Sequence, residues 1–156
     1  MPECTTPWLP WPRLDRPCYL LLLDEQQRLM LCGGCCGGWT VPQIRMTNGA
    51  DFRATATAFL TKEFGLLAPR FGPVYGRRHT EYTEDWEFAR VTATRVFVIH
   101  ISNAEGDRLE ERSATHARWT LEYLRKRRRE VFPEGVVTLT TGYIEGWLPN
   151  GPISLF

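Results

Sequence analysis

Residues 38–66, GWTVPQIRMTNGADFRATATAFLTKEFGL, constrain the fold most, because they place a strand signal, a turn and a helix in close succession. The segment from Trp39 to Pro42 is typical of the start of a strand, and Asn48-Gly49 predicts a turn. The apolar residues that follow recur at three- and four-residue spacing, which predicts a helix with one buried face. They are Phe52, Ala56, Phe59, Leu60 and Phe64. Gly65 suits the position just past the C-terminus of that helix.

This strand–loop–helix–Gly unit resembles the Nudix box. The pattern of that family is G, five residues, E, seven residues, R-E, an aliphatic residue, any residue, E-E, any residue, G and an aliphatic residue. Laid on this chain, the pattern runs from Ile44 to Leu66. The frame of the box is kept, because Pro42 precedes it and Leu60 and Gly65 hold their positions.

The residues that carry the chemistry of the box are mostly replaced. Ile44 stands for the opening Gly, Ala50 for the first Glu, Ala58-Phe59 for the Arg-Glu pair and Lys62 for the first Glu of the closing pair. Of the carboxylates in the pattern, Glu63 alone remains. The resemblance is therefore one of scaffold more than of chemistry.

A divalent-cation site is what the resemblance would imply in an intact family member. There, the Glu side chains of the box helix bind Mg²⁺ or Mn²⁺ and often orient the water that attacks a diphosphate. Mg²⁺ needs oxygen ligands and usually takes carboxylates, whereas Lys62 puts a cation beside Glu63. We therefore expect no metal and no other cofactor. Glu63 is then a surface carboxylate paired with Lys62 or an arginine, or else a remnant ligand or a new acid–base group.

A second stretch, ARWTLEYLRKRRREVFPEG at 117–135, resembles the C-terminal part of one Nudix branch. Together the two stretches extend the resemblance over residues 17–151, and they imply a Nudix-like α/β/α sandwich with a mixed central sheet. The box helix would cover one face of the sheet and C-terminal helices the other. Residues 1–16, rich in Pro and Trp, predict an extended N-terminal arm. Residues 152–156 form a short tail.

The remaining elements follow from local patterns. Two apolar runs around the polar turn 24–27 predict a hairpin of strands, Cys18–Leu23 and Arg28–Cys32. We predict a short irregular strand at 68–76, one or two strands within 87–102, and a charged exposed loop at 103–113. Thr120 predicts the N-cap of a helix over Leu121–Arg129. Residues 134–145 favour a strand by composition and a closing helix by resemblance, and we expect the helix.

Composition bounds the class of protein. At 156 residues with a net charge of +1, the chain predicts one domain with no global attraction to nucleic acid or to a membrane surface. The run Arg125–Arg129 resembles a nucleic-acid patch by count alone, but we interpret it as solvated surface. The longest aliphatic run, Tyr19–Leu23, is far too short for a membrane span. We expect a cytoplasmic protein whose partner is a small molecule, and a homodimer is possible.

The five cysteines are an odd number and favour reduced thiols. Cys32, Cys35 and Cys36 flank or lie in the loop 33–38, which contains four glycines. The spacing leaves three interpretations: a plain Gly-rich loop, which we favour, a structural zinc site, or a reactive thiol. Against zinc, the sequence shows no second ligand cluster and no histidine near these cysteines.

Candidate site residues lie mainly in the second half of the chain. The catalytic candidates are His79, His100, Asp85, Glu87 and Glu63, and the substrate-binding candidates are Arg77, Arg78, Trp39 and Tyr82. His79, which we expect on a loop, is either exposed or a general acid–base group. His100 interrupts an apolar strand, so it is either a satisfied core histidine or a histidine facing the cleft. Glu110 or Glu111 occupies the region where family members often carry another carboxylate, although a solvated role is the simpler one.

Three functional hypotheses follow. The first is a Nudix scaffold that has lost its metal site and performs metal-independent acid–base chemistry on a small organic molecule, such as a rearrangement, a cyclisation or an isomerisation in a biosynthetic pathway. The second is a divergent diphosphate hydrolase that rebuilds a metal site from Glu63, Glu87 and Glu111. The third is a non-catalytic ligand-binding module. We favour the first, and fold alone does not decide between the first and the third.

Overall fold

The computed structural model describes residues 16–33, 37–46, 51–67, 69–82, 89–132 and 135–146. The strands are β1 (Arg16–Leu23), β2 (Leu29–Gly33), β3 (Trp39–Thr40), β4 (Gln43–Met46), β5 (Arg70–Tyr82), β6 (Ala89–His100), β7 (His116–Trp119) and β8 (Val131–Phe132). The helices are α1 (Phe52–Phe64), α2 (Asn103–Arg112), α3 (Leu121–Lys126) and α4 (Gly135–Glu145), with a 3₁₀ turn at Arg128–Glu130. The predicted arm and tail at the two termini lie outside these ranges, apart from Arg16.

The strands form one mixed sheet in the order β5-β6-β1-β2-β3-β8, with β4 paired to β1 and β7 paired to β2. The β1–β6 and β3–β8 pairs are parallel, and the other pairs are antiparallel. In the central pair, Cys18–Leu23 runs beside Arg95–His100. The predicted hairpin of β1 and β2 and the mixed sheet are confirmed.

Alternating side chains along β1 divide the interior into two cores. Cys18, Leu20 and Leu22 pack with α1 through Ala56 and Leu60. Leu21 and Leu23, on the opposite face, pack in the second core, whose helical members include residues of α3 and α4. A strand buried on both faces in this way needs the continuous apolar run that its sequence has. The α/β/α architecture that the sequence predicted is confirmed.

The box helix begins and ends where the sequence indicated. Asp51 is the N-cap residue, and its carboxylate accepts a hydrogen bond from the backbone N–H of Ala54 at 3.0 Å. Gly65 ends the helix with a φ of 67°, which a residue with a side chain rarely adopts. The helix at 135–145 is also confirmed, and the one predicted for 121–129 ends at Lys126 and continues as the 3₁₀ turn.

Three local predictions are wrong. Residues 103–112 form a helix, because Ser102 and Glu105 make a capping box that satisfies the first backbone N–H groups. The short irregular strand is the start of a strand of 13 residues, which passes Gly72 and Pro73 by a register shift between Phe71 and Val74. His79 therefore lies in β5 and not on a loop.

Helix α2 is tied to the sheet by a buried arginine. Arg118 of β7 is 3% exposed and donates to Asp24 at 3.0 Å, to Glu110 at 2.8 Å and to the carbonyl oxygen of Asn103 at 3.2 Å. It also pairs with Asp107. Asp24, which is fully buried at its side chain, is bonded in addition by Arg28. Because every charge in this group has a counter-charge, the cluster is stable where a lone charge would not be.

Gly106 makes room for that arginine. A β-carbon at Gly106 would lie 2.9 Å from both Cδ and Cζ of Arg118, closer than side chains pack. This explains a glycine inside a helix, where it otherwise costs about 1 kcal/mol relative to alanine. No helix in the part of the chain that the structure describes is long and apolar enough to cross a membrane.

Gly106→Ala tests the role of the buried arginine. Helix propensity alone predicts a gain in stability of about 1 kcal/mol, but the clash with Arg118 should instead lower the free energy of unfolding by about 1–3 kcal/mol. Urea unfolding followed by circular dichroism measures the difference. Ala104→Gly, at an exposed position of the same helix, is the control and should cost only the propensity term. A stabilised Gly106→Ala protein would contradict this packing.

Candidate functional site

On the α1 face of the sheet, an aromatic cluster stands where the resemblance would place catalytic carboxylates. Phe59, aligned with the Glu of the Arg-Glu pair, meets Phe64 edge-on with ring centroids 5.4 Å apart. Phe64 in turn meets the ring of His116 edge-on at 5.8 Å. Phe59 and Phe64 also pack against the core beneath α1. This surface is therefore apolar, with one imidazole at its edge.

The groups of the box helix do not fit a divalent cation. Lys62 and Glu63 are exposed in the last turn of α1, and Asp51 is used as the N-cap. Ala50, at the position of the first Glu, lies outside the described residues and carries no ligand atom in its side chain. Within the described ranges, no three His, Cys, Asp or Glu side chains are grouped closely enough to hold a metal. An oxygen-rich magnesium site is not built here.

Glu110 and Glu111, the predicted replacements for the box carboxylates, are on α2. Glu110 accepts two hydrogen bonds from Arg118, at 2.8 Å from Nε and 3.1 Å from the backbone N–H. It is therefore part of the buried ion cluster. Glu111 is exposed on the same helix. Glu87, the third ligand of the rebuilt-site hypothesis, lies outside the described residues.

His100 lies at the end of β6 on the opposite face of the sheet from α1. Its Nε2 is 2.7 Å from the hydroxyl oxygen of Tyr143 on α4, and the rings are tilted with centroids 5.8 Å apart. Both side chains are half-buried. The backbone of Gly72 lies against the pair, since a β-carbon there would be 3.2 Å from His100 Nε2 and 3.3 Å from Tyr143 Oη. His100 was a catalytic candidate from the sequence, and the structure places the phenol of Tyr143 beside it.

Arg77, Arg78, His79 and Tyr82 lie on a two-stranded extension of the sheet. Residues 77–82 pair with residues 89–94, whereas β1 pairs with β6 only from Arg95 onward. His79 is opposite Thr92 and Arg70 is opposite His100. Thr92, the partner of His79, is eight residues before His100 in β6. At a rise of about 3.3 Å per residue, the backbones of His79 and His100 are about 26 Å apart along the sheet.

These positions decide which candidates lie near one another. The backbone of His79 lies in the two-stranded extension, whereas that of His100 lies in the central part of the sheet. Glu63 is on the α1 face, whereas His100 faces α4. Asp85 lies outside the described residues, so its role, like that of Glu87, remains a prediction.

Trp39, the aromatic substrate-binding candidate, is half-buried at the edge of the α4-side core. Its ring is 5.0 Å from that of Trp119, and Trp119 meets Tyr123 edge-on at 4.7 Å. Arg127 lies over both Trp119 and Tyr123 at 5.2 Å and bonds Glu130. The ion pair with Glu130 raises the pKa of Arg127. Several residues of the run 125–129 form ion pairs on the surface, in agreement with the interpretation of this run as solvated surface.

A thiol and an imidazole, a pair that was not foreseen from the sequence, are neighbours on the α1 face. Cys32 of β2 and His116 of β7 are cross-strand partners. Gly33 donates to the carbonyl of Thr115 at 2.8 Å, so Gly33/Thr115 is a hydrogen-bonded pair and Cys32/His116 the adjacent non-hydrogen-bonded pair. Burial raises the pKa of the Cys32 thiol to about 12. The prediction that no histidine lies near these cysteines is therefore wrong for Cys32, because sheet pairing brings together two residues that are far apart in the chain.

No family model and no curated protein sequence matches this chain. Solved structures match it in shape. A MutT/Nudix family protein from Listeria innocua superposes with a TM-score of 0.59 at 9% identity, over 87% of this chain and 95% of that one. The Ap4A hydrolase of C. elegans superposes with a TM-score of 0.56 at 12% identity, over 85% of this chain and 98% of that one. At such identities the likeness concerns the fold alone, and it shows that this chain has a Nudix-like fold.

Proposed function

We propose that this protein is a Nudix-fold enzyme that has given up the divalent-cation site of the box helix and performs acid–base chemistry on a small organic molecule. The hydrogen bond between His100 and Tyr143 is the observation that carries the proposal. A rearrangement, cyclisation or isomerisation needs proton transfer at a fixed place and no bound metal, and this pair supplies two groups for it.

The chemistry of the pair follows from its two atoms. A neutral imidazole nitrogen accepts a proton, and a phenol donates one or stabilises an oxyanion by a hydrogen bond. Nε2 and Oη are joined by one hydrogen bond of 2.7 Å, and the tautomer of His100 decides which of the two atoms donates. A substrate could replace the hydrogen bond between His100 and Tyr143 with one hydrogen bond to each side chain. It would then lie between a base, the imidazole, and an acid, the phenol. Partial burial strengthens such contacts because the local dielectric constant is lower than in water.

The surroundings of the pair favour a small substrate. Gly72 lies against both reactive atoms and against Val98, whose Cβ would be 3.4 Å from an added β-carbon. Three residues before Tyr143 on α4, the Thr140 hydroxyl is buried and has no hydrogen-bond partner among the described residues. Residues three apart on a helix are neighbours on its surface. Apart from the pair itself, the groups that lie against Gly72 are therefore apolar, and apolar surroundings with a few polar groups are typical of sites for small organic ligands.

The rival hydrolase hypothesis predicts a different dependence on metal. An enzyme of that class would hydrolyse the diphosphate of nucleoside diphosphate derivatives to two phosphomonoesters, or hydrolyse Ap4A as the name of the C. elegans protein states, only with Mg²⁺ or Mn²⁺. The third hypothesis, a ligand-binding module, predicts binding of a small molecule without conversion. Each therefore has its own observable outcome.

The wild-type protein should hydrolyse none of these substrates with either cation, as measured by chromatography of the nucleotide products, and Mg²⁺ or Mn²⁺ should leave its melting temperature unchanged. The reason is that Phe59 and Lys62 offer no oxygen ligands. The Phe59→Glu/Lys62→Glu protein restores carboxylates at two box positions and should gain a cation-dependent rise in melting temperature relative to its own metal-free baseline. Cation-dependent formation of nucleotide products by the wild type would establish the hydrolase instead.

Tyr143→Phe should lower turnover of a small-molecule substrate by roughly 100-fold or more, the usual contribution of a positioned acid–base group. The substrate would be selected by thermal shift from a panel of small carbonyl and aromatic compounds, and its conversion followed by NMR. Tyr123→Phe, which removes a hydroxyl on α3 away from the pair, is the matched control and should keep full activity.

Three results would separate the hypotheses. Equal turnover in Tyr143→Phe, His100→Asn and wild type would remove the pair from the reaction. Tight binding with no conversion of any selected compound would favour the binding module. Loss of conversion with retained binding in both variants is the outcome we expect.

A further inference from the structure

We propose that the Thr140 hydroxyl binds a second polar group of the substrate, so that the site takes small neutral molecules with an oxygen group apart from the reacting one. The inference rests on the proposed function, because it extends the site at His100 and Tyr143 along α4. Thr140 is then a specificity residue, since it contacts a part of the substrate that does not react.

The Thr140 hydroxyl is buried and unpaired. The residue is fully buried, and its Oγ1 has no hydrogen-bond partner in the part of the chain that the structure describes. Two other buried polar atoms lack a partner there, Gln43 Nε2 and Asn103 Oδ1, but their residues are partly exposed. A buried hydroxyl that gives up water for no partner destabilises the fold. Such an atom needs an explanation outside the chain, and a bound ligand supplies one.

The next residue shows how a helix can satisfy such a hydroxyl by itself. Thr141 Oγ1 donates to the carbonyl oxygen of Val137, four residues earlier, at 2.7 Å. Threonines inside helices commonly make this bond. Thr140 makes no corresponding bond to the carbonyl oxygen of Val136. Its hydroxyl therefore keeps both its donor and its acceptor capacity for another molecule.

Thr140 lies on the side of α4 that carries Tyr143. Residues three apart on a helix are neighbours, with β-carbons about 5–6 Å apart. His100 and Tyr143 are half-buried and contact solvent, whereas Thr140 is closed off from it, so the polar groups on this face run from the surface inward. The core on this face includes the apolar Val98 and Leu139. A substrate that replaces the hydrogen bond between His100 and Tyr143 therefore meets Thr140 as the next polar group on α4.

The chemistry of the hydroxyl defines the class of substrate. A threonine hydroxyl donates one hydrogen bond and accepts others, so it suits a hydroxyl or a carbonyl oxygen. It is neutral and cannot offset the charge of a carboxylate or phosphate in a buried position. The substrate therefore has two oxygen groups, one at the pair of His100 and Tyr143 and one at Thr140. A site that bonds a substrate hydroxyl in this way rejects the analogue that lacks it.

Binding of matched compounds tests the inference. The pairs are hydroxyacetone with acetone and para-hydroxybenzaldehyde with benzaldehyde, and the members of each pair differ by one hydroxyl. In NMR titrations the wild type should bind the hydroxylated member of at least one pair about 10-fold more tightly. Thr140→Val, which keeps the shape of the side chain, should lose this preference and melt at the same or a higher temperature. Thr141→Val is the matched control and should keep the preference.

Turnover separates the inference from the proposed function. With the preferred compound, Thr140→Val should raise KM about 10-fold and leave kcat unchanged, because the lost contact is not to the reacting atoms. Equal KM and equal preference in wild type and Thr140→Val, while Tyr143→Phe loses turnover, would overturn the inference and leave the proposed function in place. Full turnover in Tyr143→Phe, with the preference lost in Thr140→Val alone, would remove the proposed function and keep Thr140 as a ligand-binding residue.

Two further results would overturn the inference. One is a wild-type protein with no preference in either pair of compounds. The other is a lower melting temperature of Thr140→Val, since the hydroxyl would then have a partner within the chain.

Discussion

The parallel pairing of β1 with β6 is the constraint on which the rest of the structure depends. Six successive residues, Cys18–Leu23, run in register beside Arg95–His100. Because side chains alternate between faces, this one pairing decides that Leu20, Leu22 and Ile99 meet the box helix. It also decides that Leu23 and His100 face α4. A shift of one residue would exchange the two cores and bury the imidazole under α1.

The two faces of the sheet carry different groups. On the α1 face, capping by Asp51 and Gly65 fixes the two ends of the helix, which carries the half-buried Phe59 and the exposed Lys62 where the resemblance implies carboxylates. The helix is retained because its buried face, Ala56 and Leu60, closes a core. Ala56 and Leu60 make that core contact without any carboxylate of the box pattern, so the fold does not depend on those carboxylates. The polar groups with an acid–base arrangement, His100 and Tyr143, lie on the other face.

Local patterns predicted much of the fold. The helix at 52–64 with Gly65, the β1–β2 hairpin and the mixed sandwich followed from periodicity, turn residues and the resemblance. Helix α2 was missed because Gly106 and the high charge of 103–113 resemble a loop, and the signal that could have found it was the Ser102–Glu105 capping box. Gly106 is tolerated for a reason invisible in sequence, the side chain of Arg118 from a strand.

The site was harder to predict than the fold, because its pairs are distant in sequence. His100 was recognised as an exception in an apolar strand, but Tyr143 appeared only as part of a helical face. Cys32 was examined for nearby ligands and His116 was not considered, since sheet register alone makes them neighbours. Conversely, His79 and His100 are close in sequence terms but about 26 Å apart along extended strands. Sequence reasoning named candidate residues but not the partners that sheet pairing and helix packing bring to them.

The central proposal is that this Nudix-like scaffold does not hold the hard divalent cation that the resemblance to the Nudix box implies. Electron paramagnetic resonance of Mn²⁺ titrated against the protein tests it most directly, because free and bound Mn²⁺ give different signal intensities. The account predicts that Mn²⁺ stays free at all protein concentrations. One bound Mn²⁺ per chain that is released by Glu63→Gln would contradict it.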